Sequence, residues 1–357
     1  MKSPVRPPLP NLTSLRFFAA ADVVLFHRGL AIGGYQAVTF FFELSGFILA
    51  YVYAGEKPAA PMTANRVQFW RARAARILPA YYFALLIALP WPIYGVLVMG
   101  DVSLKTLAIG APLMLLLQQA WWPPVVMFWN PAAWSLSVEF FFYALFPWLM
   151  RSIRFNVGGL VVLSYALVVA IAALRALLPV PEAQQITSTL WKFEQFFPLF
   201  HLSQFIFGMA LGLFFLFGRP LTPRIHLVML CLGSISLPIA FATGWQNDAI
   251  LSVSFGLIIF GAAKARVAML QWPVLILLGE ASYAIYILHG PIGPWQDWVE
   301  RKLTGTLDPV LSNTAYLAAV ICIGIFTFLF IERPLRREIL GHREHPDSIH
   351  KGGVLRL

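Results

Sequence analysis

The chain is 357 residues long, 59% hydrophobic, 15% aromatic and only 12% charged, with a mean hydropathy of +0.73. Soluble domains carry about 25% charged residues, so half that share excludes a solvated globular enzyme, and so much apolar surface excludes disorder. A net charge of +10 would suit nucleic acid in a soluble protein, but in a membrane chain basic residues report topology first, and no nucleic-acid partner is expected.

In chain order the apolar segments are 12–32, 36–54, 77–100, 104–120, 134–150, 157–178, 197–217, 225–243, 249–263, 272–292 and 313–331. Most are near the ~20 residues needed to cross a hydrocarbon core of about 30 Å. Outer-membrane barrels show short alternating segments instead. The fold class is therefore all-α, a polytopic membrane helix bundle.

Positive charge chooses among the segments. With Lys2 and Arg6 cytoplasmic, the loop holding Lys57, Arg66, Arg71, Arg73 and Arg76 is cytoplasmic too. A crossing at 104–120 would put the later basic clusters outside. Without it, Arg151/Arg154, Arg219/Arg224, Lys264/Arg266 and Arg333/Arg336/Arg337 all fall inside, as the positive-inside rule asks. The expectation is about ten transmembrane helices plus one re-entrant or interfacial helix at 104–120, with both termini cytoplasmic.

One transmembrane domain over 1–337 is expected, followed by a polar cytoplasmic tail at 338–357. Its His342, His345 and His350 read as solvated rather than as metal ligands. Cys231 and Cys322 lie in apolar segments, which leaves no disulfide framework, and no metal is expected. Gly208 and Gly212 form a small-xxx-small pair, a sign of close helix contact.

An ionisable side chain inside a span is costly and marks a functional site by default. His27, Glu43, Glu139 and His289 fall in the outer half of their segments, whereas Arg16 and the Glu332–Arg333 pair fall toward the inner edge. An imidazole beside a carboxylate is a usual general base, and guanidinium forks suit phosphate. Arg16 and His27 stand about 16 Å apart along a helix, enough to separate anion binding from proton transfer. A proton-coupled transporter or flippase is the rival reading. It would more often show internal symmetry and broken midplane helices, and neither is evident.

Six motifs occur in order: LTSLRFFAAADVVLFH (12–27, Arg-x10-His), FFFELSGF (40–47), RARAARILPAYY (71–82, with Arg-x-x-Arg), WSLSVEFFFY (134–143), GEASYAIYILHGP (279–291) and ERPLR (332–336). Together they resemble the acyltransferase-3 family of bacterial integral-membrane O-acyltransferases, in the stand-alone form without an extracytoplasmic esterase-like domain. The resemblance implies transfer of an acyl group, most often acetyl, from cytoplasmic acyl-CoA to a hydroxyl. The usual acceptor is a carbohydrate of a surface polysaccharide or lipid-linked glycan precursor, less often a small molecule such as a macrolide.

Carried over by position, His27 matches the family's essential histidine, Arg16 its arginine partner, and Arg73 and Arg76 the Arg-x-x-Arg pair. Glu43 and Glu139 fall on motif positions. The expectation is that the CoA nucleotide stays among Arg16, Arg71, Arg73, Arg76 and Arg333 while its thin pantetheine arm reaches toward His27. His27 then takes the acceptor proton with Glu43 or Glu139 stabilising the imidazolium, and a covalent acyl-histidine step would use the same residues. Trp134, Ser135, Tyr283 and His289 are candidates for contact with the acceptor.

Overall fold

The computed structural model describes residues 6–31, 33–57, 60, 62–152, 156–178, 188–305 and 308–341. Lys2, Arg154 and the three tail histidines lie outside the described residues. The secondary structure of the described residues is all helical. Helix α1 spans Pro10–Phe26, α2 Gly34–Tyr53, α3 Arg66–Ala88, α4 Pro90–Tyr94 and α5 Leu104–Leu115. They are followed by α6 Trp134–Ser152, α7 Val157–Ala176, α8 Thr189–Phe196, α9 Pro198–Phe217 and α10 Pro223–Ala242. The series closes with α11 Asp248–Ala262, α12 Pro273–Val299, α13 Pro309–Thr327 and α14 Arg333–Leu340.

Eight helical stretches among the described residues are long and apolar enough to cross a membrane. The segments at 12–32 and 249–263 form the 17-residue α1 and the 15-residue α11, about 26 and 22 Å long, which are shorter than the other predicted spans. Arg16 and Asp22 break the apolar run of α1, and Gly29 at φ +71° turns the chain soon after it ends. The 104–120 segment contains the 12-residue α5, about 18 Å and well short of the hydrocarbon core.

The predicted loop at 57–76 is corrected in part. Helix α3 begins at Arg66, where the Asn65 side chain accepts from the Gln68 amide (2.9 Å) and the Gln68 side chain accepts from the Asn65 amide. This reciprocal cap satisfies two of the orphan donors at a helix start. The Arg-x-x-Arg motif is therefore helical, and Arg73 and Arg76, three apart, share one face.

The core is assembled around close backbone crossings. A Cβ at Gly208 of α9 would stand 1.9 Å from the Glu43 carbonyl oxygen, and one at Gly46 of α2 would stand 2.1 Å from the Phe205 carbonyl oxygen. The two helices thus touch backbone to backbone through reciprocal glycines, as small residues permit in membranes. Gly208→Ala should lower folding stability by about 1–3 kcal/mol. Thermal unfolding in detergent checks this, and an unchanged midpoint would refute the close crossing.

Prolines inside α6 and α12 leave carbonyls without a helical partner, because proline has no N–H to give the residue four positions back. Pro147 strips Tyr143 of its donor, and the Trp70 indole N–H of α3 supplies one at 3.0 Å. Pro291 does the same to Ile287, whose carbonyl accepts from the Asn130 side-chain amide at 3.0 Å. At these prolines the helices are therefore stitched to their neighbours by side chains.

Candidate active site

Between α1, α2, α3, α6 and α12 lies a cavity of about 120 Å³. Arg16, Arg73 and Arg76 line it together with Ser45, Glu139, Tyr143, Ser135, Tyr283 and Tyr286. Each helix brings its residues through ordinary periodicity: Thr13 and Arg16 from α1, Ser135 and Glu139 from α6, Tyr283 and Tyr286 from α12 share faces at three- and four-residue spacing.

One end of the cavity is rich in guanidinium groups. Arg76 forms an ion pair with the buried Glu332 and sits 5.7 Å from the centre of the Tyr283 ring. Arg73 stands 5.7 Å from the Tyr53 ring and 5.9 Å from the Tyr143 ring, contacts suited to a cation held out of water. Arg16 lies within electrostatic range of Glu139, Tyr143 and Arg73. Glu139 accepts hydrogen bonds from Ser45 at 2.9 Å and from the Tyr143 hydroxyl. It is a carboxylate fixed among cations and hydroxyls.

The other end reaches Ser135 and Tyr286, whose hydroxyls are 2.8 Å apart. Tyr283, Tyr286 and His289 follow one another at three-residue steps on α12, and the Tyr286 and His289 rings are 5.7 Å apart. The His289 ring lies 4.7 Å from that of His27, tilted by 49°. His27 Nδ1 is 2.8 Å from the Val23 carbonyl oxygen, and His289 Nδ1 bonds the Tyr286 carbonyl. A carbonyl only accepts, so each Nδ1 carries the hydrogen. In the neutral ring, Nε2 is then left with its lone pair. The pair thus presents two Nε2 lone pairs, one on an exposed residue and one on a buried one.

This arrangement corrects the expected partnership of His27. Neither Glu43 nor Glu139 pairs with it. Gly34, where α2 starts, abuts Phe26, so Glu43 lies nine residues, or about 14 Å, farther down the bundle. Ser45, bonded to Glu139, is lower still. Both carboxylates are level with Arg16 rather than with His27. Glu43 also faces away from the cavity, toward Ser252 of α11; both side chains are buried, without a standard hydrogen bond among the described residues.

Other expected residues divide in the same way. Ser135 and Tyr283 line the cavity, and Tyr283 donates to the Ile77 carbonyl at 2.8 Å. Arg71 does not line it; its guanidinium donates to the Ile339 carbonyl of α14 at 2.7 Å. Arg333 follows Glu332 at the start of α14 and is likewise absent from the lining. Trp134 is buried against Tyr35, Phe42, Phe196 and His201, so its faces are already covered by protein. The His27–His289 pairing was missed in the sequence, where the two are 262 positions apart. The i, i+3, i+6 series through Tyr283 and Tyr286 was the available signal.

Comparison with known proteins agrees with this architecture. No solved structure matches the chain. The acyltransferase MdmB of Streptomyces mycarofaciens is 28% identical, over 94% of this chain and 93% of its own length. The O-acetyltransferase OatA of Staphylococcus aureus is 21% identical over 92% of this chain, and the peptidoglycan O-acetyltransferase OatA of Listeria monocytogenes is 25% identical over 92%. The chain spans 57% and 56% of the length of those two relatives. The acyltransferase-3 profile, described as an acyltransferase domain, covers residues 9–331, which include every cavity-lining residue and both histidines; the chain belongs to this family of membrane-bound acyltransferases.

Proposed function

We propose that the protein moves an acyl group, acetyl in the simplest case, from acyl-CoA to a hydroxyl of a carbohydrate, with His27 as general base. The observation that carries this reading is a cavity with guanidinium groups at one end and the Ser135–Tyr286 hydroxyl pair at the other, with the His27–His289 pair beyond Tyr286 and outside the lining. CoA is a polyanion on a slender arm. Its phosphates suit Arg16 and Arg73, its pantetheine suits the narrow apolar middle, and its thioester would then approach Tyr286 and the histidines.

In the transfer, His27 Nε2 takes the proton of the acceptor hydroxyl as that oxygen attacks the thioester carbonyl carbon. The C–S bond breaks, and the leaving CoA thiolate takes the proton back from the imidazolium. His289, rather than a glutamate, is the neighbour of that ring. Glu139 serves at the other end, accepting from the Ser45 and Tyr143 hydroxyls within electrostatic range of Arg16. A cytoplasmic donor would place the arginine end and both termini at the cytoplasmic face of a bacterial plasma membrane. The peptidoglycan O-acetyltransferase among the relatives supports acetyl as the group and a glycan as the acceptor class. Mass spectrometry of surface glycans from cells with and without the protein tests the acceptor, and an unchanged acetylation pattern would count against it.

The donor end makes its own prediction. Arg73→Ala should weaken acetyl-CoA binding by about 1.5–3 kcal/mol, the value of a hydrogen bond to a charged group, and the loss should shrink as salt screens the wild-type contact. Calorimetric titration of acetyl-CoA into both proteins at two ionic strengths measures it. Equal affinities would move the phosphates away from Arg73.

A further inference from the structure

We infer that Asn130 is a positioning residue for the histidine pair, acting through the proline break in α12. The inference rests on the catalytic reading of His27 and adds to it a residue outside the cavity. Three observations converge on Asn130.

The first is the bond already described: its side-chain amide is the donor that fills the Ile287 carbonyl left open by Pro291. Ile287 is two residues before His289 and Pro291 two after, so the stitch lies across the residue it would aim. The second is burial without full satisfaction. Asn130 is fully buried, and its Oδ1 has no hydrogen-bond partner. A Cβ at Gly290 would stand 3.2 Å from that oxygen, so Asn130 packs directly against the residue following His289. The third is that Asn130 is itself held. Trp129 before it adopts φ +63°, a costly conformation for a bulky residue, and its indole donates to the Leu85 carbonyl of α3 at 3.0 Å. The Asn130 carbonyl accepts from Ala133 at 3.0 Å, on the turn that launches α6.

A side chain that only satisfied a stray carbonyl would not require this frame. Here the loop before α6 is clamped to α3, and from that clamp one amide grips α12 at its break. On the other side of the same turn, the Tyr316 hydroxyl of α13 donates to the His289 carbonyl at 2.6 Å. Residues 287–290 are therefore held from two directions, with the imidazole pointing at His27. Removing one hold lets the weakened turn relax, and displacements near 1 Å cost on the order of 10²-fold in rate when reacting groups depend on alignment.

The test uses purified full-length protein and acetyl-CoA as the probe, with His27→Ala as the reference for turnover. Asn130→Ala should lower kcat for acetyl-CoA hydrolysis on the order of 10–10²-fold while KM stays within about twofold, because the arginine end is untouched. If that variant does not fold, the comparison is made with Pro291→Ala added, which restores a backbone donor for Ile287. The double variant should fold and still be slow, since the turn carrying His289 is then set by the unbroken helix ladder and no longer by the Asn130 amide. A wild-type kcat in the variant that folds, or a rise in KM equal to the loss, would overturn the inference. Carbethoxylation of the histidines, read by peptide mass spectrometry, needs no turnover. His289, buried in the wild type, should be labelled severalfold faster in the Asn130→Ala protein, or in the double variant if the single one does not fold. Unchanged labelling would overturn the inference even if wild type fails to hydrolyse acetyl-CoA, an outcome that would separately count against the donor assignment.

Discussion

Replacement of His27 by alanine is expected to leave a folded protein that binds acetyl-CoA and transfers acetyl about 10²–10⁴-fold more slowly, the usual contribution of a positioned proton acceptor. Folding should survive because His27 caps the end of α1 with its ring exposed, so truncation opens little buried space. His289→Ala is expected to be slow as well, but less so, since it removes the neighbour of the base and not the base. Both variants keep Arg16 and Arg73, so donor titrations should match wild type. The measurement is initial rate of label transfer from acetyl-CoA beside calorimetric donor binding. A His27→Ala protein with wild-type turnover would end the assignment, and one that loses donor affinity would put the phosphates at the wrong end of the cavity.

The structure also changes what the acidic residues are expected to do. With Glu139 bonded to Ser45 and Tyr143 and level with Arg16, its removal should act on the donor end. The acid partner of an imidazole would show up in the catalytic step. Glu43 is farther from the chemistry still, turned into the α2–α9–α11 packing.

Much of this was legible in the sequence, and the illegible part has a physical cause. Apolar length alone marked the helices, because lipid demands that each crossing satisfy its own backbone. The short α5 followed from charge, since only a non-crossing 104–120 keeps the later arginine clusters on one side. Arg16, Arg71, Arg73, Arg76 and Arg333 were expected as one group from the family motifs and their shared edge of the bundle, and the cavity brings together Arg16, Arg73 and Arg76.

Depth was harder to read. Glu43 sits in a segment whose apolar limits place it in the outer half, yet α2 starts beside Phe26 and carries Glu43 down to the level of Arg16. Where a turn ends in space depends on local packing, here the contact of Gly34 with Phe26, and hydropathy does not record it. The cap at Asn65 is a further case: the capping pair Asn65 and Gln68 was present in the sequence, but the basic residues after it drew the segment into a loop. The partner of His27 came from the far end of the chain, where a motif histidine was visible and its pairing was not.

Glu332 carries the largest expected effect on stability. It is buried beside Arg76, with the two charges in contact where α13 leads through residues 328–332 into α14. Glu332→Ala would leave the guanidinium in place with its counter-charge gone, and breaking a buried pair by removing one partner typically costs about 3–5 kcal/mol. Replacing both residues, Arg76→Met with Glu332→Leu, removes the unpaired charge as well as the pair, and such exchanges are often close to neutral. The double variant should therefore be more stable than the single one, the opposite of additive behaviour, which contacting residues permit. Thermal unfolding of the two variants and wild type in one detergent settles the order. If the double variant is the least stable of the three, the pair contributes more than its desolvation takes away, and Arg76 belongs to the scaffold. If the order is as expected, donor titration of the double variant separates a structural Arg76 from one that also meets CoA phosphate: unchanged affinity leaves that task to Arg16 and Arg73.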